Sequence, residues 1–105
     1  MPHQGAPDIP RPNAEGMTVA IVSTHWNEKI VTQLHEHAVD AARDLGAKVD
    51  SFCVAGAFEL PVLAQACARR YDAVVALGCV IRGETAHFDY VCDSVTAGLT
   101  RVALD

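Results

Sequence analysis

The stretch AVVALGCVIRGETAHFDY, residues 73–90, decides the fold of this chain. Its first part, residues 73–80, is almost wholly apolar, which is typical of a strand buried on both faces. A polar turn that contains Arg82 and Gly83 follows, and apolar side chains then recur at helical spacing. The stretch therefore predicts a strand, a loop and a helix over residues 88–104.

Two earlier segments show the same strand-and-helix order. Residues 17–23 are the first predicted strand, and the continuous apolar run at residues 19–22 is typical of a central parallel strand. Residues 48–54 alternate as an edge strand does. Asn27 can cap the first helix, which Gly46 ends, and Pro61 fits the first turn of the second. The order βαβαβα predicts an α/β fold with a parallel sheet and right-handed crossovers.

The composition indicates one small globular domain. Half of the 105 residues are hydrophobic, and 13 acidic against 8 basic residues give a formal net charge of −5. The chain has no Lys/Arg run, so it lacks the basic patch that is typical of nucleic-acid-binding proteins. No apolar segment has the length of a membrane span, and the first residues do not resemble a signal peptide. These patterns predict a cytoplasmic protein with neither a nucleic-acid nor a membrane partner.

The cysteines, two histidines and the N-terminus give further expectations. The four cysteines show no C-x-x-C or zinc-type spacing, so we expect reduced thiols, mostly in the core. His35 and His37 lie two apart on a helix, cannot share a metal ion and are expected to be solvated. Residues 1–16 contain four prolines, which favours an extended N-terminal arm. This arm is either a disordered tail or a segment that docks on a neighbouring subunit.

The three strand-to-helix loops must meet at one edge of a parallel sheet. They contain Trp26 with Asn27, residues 56–59, and residues 82–87. Together these loops supply an aromatic plate, a carboxylate, a polar helix start and a histidine. Such a set suits an aromatic polar ligand that carries a phosphate.

Each of these residues also has an alternative interpretation. Trp26 could belong to the core, Glu59 could interact with its helix dipole, and His87 could simply begin a helix. Arg82 could supply charge to a ligand or hold the structure. Cys79 precedes His87 by eight residues, which allows a cysteine–histidine nucleophile pair, whereas the other interpretation is a buried inert thiol.

Three segments carry a family resemblance: IVSTHWNEKI, VAGAFELPVLAQ and VALGCVIRGETAHFDYVCDSVTAGL. They resemble the 6,7-dimethyl-8-ribityllumazine synthases, and the resemblance extends over nearly the whole chain from residue 17. It implies a flavodoxin-like three-layer sandwich that assembles as homopentamers or as shells of pentamers. It also implies a transferase of riboflavin biosynthesis that needs no metal or cofactor. The implied reaction condenses 5-amino-6-(D-ribitylamino)uracil with 3,4-dihydroxy-2-butanone 4-phosphate and releases phosphate and water.

The resemblance also implies roles for particular residues. Trp26 matches the aromatic position that stacks on the pyrimidine, and His87 matches the proton-transfer histidine. Glu84 and Thr85 match the phosphate-binding turn. The remaining substrate-binding positions are Ala57, Phe58 and Glu59, with Glu59 taking ribityl hydroxyls, and Cys79, Val80 and Ile81, whose backbone reads the pyrimidine edge.

The chain departs from the family pattern at its end. Family members continue with a fourth strand and with a phosphate-binding arginine that completes a neighbouring subunit's site. We therefore expect a lumazine synthase domain over residues 17–105 that is C-terminally incomplete, with three βα units, the fourth strand absent and an open edge beside residues 73–80. Three functions stay open: the synthase, a non-catalytic truncated flavin- or lumazine-binding or assembly module, and a Cys79–His87 hydrolase. Riboflavin synthase is a further candidate partner.

Overall fold

A computed structural model of the chain describes residues 10–83 and 87–105. Strands and helices alternate in the order β1 (Thr18–Thr24), α1 (Glu28–Asp44), β2 (Lys48–Val54), α2 (Leu60–Ala68), β3 (Ala73–Leu77) and α3 (His87–Leu104). A short 3-10 turn, Ala57–Glu59, precedes α2. Both neighbours of β1 run parallel to it in the order β2-β1-β3. The predicted α/β fold is confirmed, with β1 central and β2 at an edge.

The two faces of the sheet carry separate apolar clusters. Because successive side chains of a strand point to opposite faces, Ala20 and Val22 of β1 pack with residues of α2. Val19 and Ile21 pack on the other face with apolar residues of α1. Helix α1 covers one face of the sheet and α2 covers the other, which gives the layering of a flavodoxin-like fold.

The strand predicted over residues 73–80 is shorter and less buried than expected. β3 ends at Leu77, and its five residues are all half-buried. The apolar run continues beyond the strand because Cys79, Val80 and Ile81 line a cavity outside the sheet. Hydrophobic periodicity does not separate a buried strand from an apolar loop that covers a cavity. Within the described residues, β3 pairs with β1 alone.

Helix α3 packs on α2 and on the 3-10 turn before it. The two helices lie close together at Gly98, where an added Cβ would stand 2.7 Å from the ring of Pro61. Only glycine allows so close a contact. The first turn of α3 lies beside the 3-10 turn, where His87 packs against Phe58.

Residues 10–16 lie against the C-terminal end of α1 in the same chain. The Arg11 guanidinium is 2.7 Å from the Asp44 carboxylate, and the backbone N–H of Ala14 donates to the Leu45 carbonyl at 2.8 Å. These residues form neither a helix nor a strand, as the prolines predict. Residues 1–9 lie outside the described part, so docking of the arm on a neighbouring subunit stays a prediction.

The prediction for the cysteines is correct only in part. All four are free thiols, but only Cys67 is buried, and Cys53 is exposed. Burial raises the pKa of the Cys67 thiol, which keeps it protonated. Cys79 is half-buried and lies beyond the end of β3, not in a strand.

The prediction that His35 is solvated is wrong. The side chain is half-buried, and its Nδ1 lies 2.9 Å from the Ser23 hydroxyl of β1. Its Nε2 lies 2.8 Å from the Ser51 hydroxyl of β2. His35 therefore joins α1 to two neighbouring strands, whereas His37 is exposed as predicted.

We expect His35→Ala to lower the free energy of unfolding by about 1–2 kcal/mol, because each net hydrogen bond contributes about 1 kcal/mol and Ser23 would be left buried without this partner. Urea denaturation followed by circular dichroism measures the change. His37→Ala is the matched control on the same helix and should change the free energy of unfolding by less than about 0.5 kcal/mol. Equal losses for the two variants would show that the contacts of His35 contribute nothing.

Candidate functional site

A cavity of about 260 Å³ lies at the carboxyl ends of the strands. It is the place where ligands bind in open parallel α/β sheets. Each of the three strand-to-helix loops contributes to its wall, as the sequence predicts. The lining residues are Trp26, Gly56, Ala57, Phe58, Cys79, Val80, Ile81, His87 and Val91.

Trp26 presents an exposed ring on a fixed backbone. Its side chain is 72% exposed, so the core interpretation is wrong. The Trp26 N–H donates to the Ala55 carbonyl at 3.1 Å, and its carbonyl accepts from the Thr24 hydroxyl at 3.1 Å. The exposed indole ring, carried on this anchored backbone, offers an aromatic surface at the edge of the cavity.

Asn27 occupies the predicted N-cap position but does not cap α1 with its side chain. Capping side chains sit on an extended backbone, whereas Asn27 has φ 61° and ψ 46° in the left-handed region. Its amide Nδ2 instead donates to the Cys79 carbonyl at 2.7 Å. The predicted cap is therefore a contact between the loops that follow β1 and β3.

His87 is the first residue of α3, and its side chain is exposed at the cavity. Its imidazole packs edge-on against the Phe58 ring, with the ring centroids 5.9 Å apart and the planes at 65°. Val91, one helical turn further on, is buried and closes the cavity below His87. Val91 was not predicted as a site residue, although its helical spacing from His87 is a signal that points to it.

The remaining predicted residues lie elsewhere. Arg82 places its guanidinium 4.4 Å from the Phe88 ring centroid and 3.7 Å from the Asp89 carboxylate. Both contacts are with α3, so the structure supports the structural interpretation of Arg82. Glu59 is exposed and does not line the cavity. Glu84 and Thr85 lie outside the described residues.

A second cleft, of about 350 Å³, lies between α1 and the carboxyl halves of β1 and β2. His35, Ser23 and Ser51 line it, and these side chains already hydrogen-bond to one another. The smaller cavity combines an exposed aromatic ring with a histidine and apolar loop residues. It is therefore the better candidate for a ligand site.

Within residues 10–83 and 87–105, no group of three or more His, Cys, Asp or Glu side chains is placed to hold a metal ion. None of the helices described there combines the length and the apolar character needed to cross a membrane.

Residues 16–105 match the family described as 6,7-dimethyl-8-ribityllumazine synthase. The chain belongs to this family. This match confirms the resemblance of the three sequence segments, because all three lie within residues 16–105.

Curated relatives carry the same family description. The chain is 60% identical over 105 residues to the 6,7-dimethyl-8-ribityllumazine synthase of Corynebacterium efficiens, covering 100% of this chain and 66% of the relative. It is 54% identical over 107 residues to that of Corynebacterium jeikeium, covering 100% and 67%. It is 57% identical over 101 residues to that of Salinispora arenicola, covering 96% and 61%. The chain thus spans about two thirds of the length of the lumazine synthases that it matches.

Proposed function

We propose that this protein is a 6,7-dimethyl-8-ribityllumazine synthase that condenses 5-amino-6-(D-ribitylamino)uracil with 3,4-dihydroxy-2-butanone 4-phosphate. Phosphate and water are released, and the reaction uses no cofactor. The observation that carries the proposal is one cavity, in a chain of this family, that joins the exposed Trp26 ring, the segment 79–81 and His87.

The uracil ring stacks on Trp26 in this proposal. The exposed indole and its two backbone hydrogen bonds support the assignment, because an exposed aromatic face on an anchored backbone can stack on a flat heterocycle. The backbone of Cys79, Val80 and Ile81 reads the pyrimidine edge. Ala57 and Phe58 complete the wall of the uracil site, and Glu59 takes ribityl hydroxyls from the adjacent 3-10 turn.

The phosphate of the second substrate binds at the start of α3. This helix has 18 residues, and the dipole at a helix N-terminus favours an anion. Glu84 and Thr85 belong to the binding turn in this proposal, with the backbone and the Thr85 hydroxyl as donors. We expect the Glu84 carboxylate to add no favourable charge interaction with the phosphate, because like charges repel.

His87 moves the protons of the reaction. Imine formation with loss of water, elimination of phosphate and closure of the second ring each require a proton to leave one atom and arrive at another. Imidazole both accepts and donates protons near neutral pH. The position of His87 beside the cavity and the start of α3 supports this role.

The proposal also includes assembly and location. Homopentamers or shells of pentamers would cover large apolar side chains such as Val62, Tyr90 and Leu104, which are 73%, 68% and 82% exposed. Riboflavin synthase is the proposed partner that consumes the product. A cytoplasmic location is supported by four free thiols, which persist in reducing compartments.

Mixing the native protein with both substrates tests the function. We expect lumazine absorbance and inorganic phosphate to appear together in equal amounts, and neither to appear when one substrate is omitted. Cys79→Ser should retain turnover within about twofold, because the condensation needs no thiolate nucleophile. Binding of the uracil without release of phosphate would instead identify a non-catalytic binding module. Loss of turnover in Cys79→Ser would favour the Cys79–His87 pair.

A further inference from the structure

The backbone of Asn27 is held in an unusual conformation. It is the one non-glycine residue with positive φ in the described part of the chain. The left-handed region costs an ordinary residue about 1–2 kcal/mol, and Asn is among the few residue types that visit it routinely. Because the side chain makes no cap bond to α1, helix formation does not account for the choice of residue.

The side chain of Asn27 reaches a loop that is remote in sequence. Its Nδ2 donates to the Cys79 carbonyl, 52 positions along the chain, at 2.7 Å. The preceding residue, Trp26, donates its own N–H to the Ala55 carbonyl at 3.1 Å. The loop after β1 therefore makes two hydrogen bonds to its neighbours. Trp26 bonds to the loop after β2, and Asn27 bonds to the loop after β3.

These two bonds lie next to the Trp26 side chain, which is not restricted by packing. The Trp26 ring is 72% exposed, so few neighbours restrict it, and its backbone anchors determine where it projects. A binding surface that is fixed before the ligand arrives loses less conformational entropy on binding. A bond that anchors the backbone beside Trp26 can therefore affect affinity without contacting the ligand.

The same bond orients the peptide that follows Cys79. Peptide groups are planar, and the described part of the chain has no cis peptide bond. The Val80 N–H therefore points away from the Cys79 carbonyl, and away from Asn27, which holds that carbonyl. Val80 lines the cavity, so Asn27 sets the direction of a backbone donor in its wall.

We propose that Asn27 is a positioning residue that locks the Trp26 ring and the Cys79–Val80 peptide into one arrangement for the uracil. This inference rests on the proposed function, in which Trp26 stacks on the uracil and the backbone of residues 79–81 binds its edge. Asn27 itself does not line the cavity. Its action passes through the two elements that it joins.

Two substitutions distinguish the contribution of the Asn27 side-chain amide from that of its left-handed backbone. Asn27→Gly removes the amide and keeps the left-handed backbone at little cost, so this variant retains the fold. Asn27→Asp keeps the shape and removes the donor, leaving a carboxylate against the Cys79 carbonyl. Asn13→Asp is the matched control, because Asn13 is an exposed asparagine at the opposite end of β1.

Trp26 is the one tryptophan of the 105-residue sequence and reports its own mobility. We expect acrylamide to quench Trp26 fluorescence more strongly, and the fluorescence anisotropy to fall, in both Asn27 variants. Asn13→Asp should behave as the wild type. Unchanged quenching and anisotropy in Asn27→Gly would overturn the proposal.

Kinetics and binding provide the second readout. We expect KM for the ribitylaminouracil to rise about five- to tenfold with kcat within about twofold, because one hydrogen bond that orders the ground state has been lost. In a Trp26→Ala background, Asn27→Gly should weaken binding much less, since its effect passes in part through the ring. A fall in kcat at unchanged KM, or equal losses in both backgrounds, would overturn the positioning role. A wild-type protein that does not bind the uracil would refute the proposed function alone, because the quenching result still decides whether Asn27 fixes Trp26.

Discussion

We expect His87→Gln to lower turnover by about 100- to 10,000-fold, the usual contribution of a general acid–base group. Glutamine keeps a polar side chain of similar length beside the Phe58 ring, but it cannot take up and release a proton. Affinity for the ribitylaminouracil should stay nearly unchanged, because stacking on Trp26 does not involve His87. Single-turnover absorbance measures the chemical step, and equilibrium titration measures the affinity.

His37→Gln is the control for this substitution, because His37 is an exposed histidine on α1 that does not line the cavity. Its turnover should match the wild type within about twofold. Some rate should persist in His87→Gln, since holding two reactants together accelerates condensation without proton transfer. Turnover equal to the wild type would remove His87 from the reaction.

The second large effect is expected at Trp26. Stacking of a base on an aromatic side chain contributes about 1–3 kcal/mol, so Trp26→Ala should weaken binding of the ribitylaminouracil about 5- to 150-fold. Trp26→Phe keeps an aromatic face and should lose only a small part of the affinity. Isothermal titration calorimetry is the suitable measurement, because the variants lack the fluorescent residue.

Stability provides the control for the Trp26 series. The ring is 72% exposed, so Trp26→Ala should change the free energy of unfolding by less than about 0.5 kcal/mol. A ring that served only for packing would give the reverse result, with a loss of stability and an unchanged affinity. Urea denaturation of the same three proteins distinguishes the two cases.

The sequence alone determined the architecture and the place of the site. The continuous apolar run of β1 and the alternation in β2 are local patterns, and they correctly predicted a central strand and an edge strand. Parallel strands must present their carboxyl ends at one edge, so the order of elements was sufficient to bring the Trp26, Phe58 and His87 loops together. No knowledge of side-chain contacts was needed for these conclusions.

The tertiary structure decided which polar groups meet. His35 and Asn27 have unremarkable sequence neighbours, yet one bonds to two serines on adjacent strands and the other to a carbonyl 52 residues away. The end of β3 at Leu77 was decided in the same way, because the apolar residues beyond it cover a cavity and not a sheet face. A local pattern reports whether a residue prefers water, and this preference is the same for an apolar strand and an apolar loop. Hydrogen-bond partners remote in sequence are specified only when packing of the helices on the sheet brings them within bonding distance.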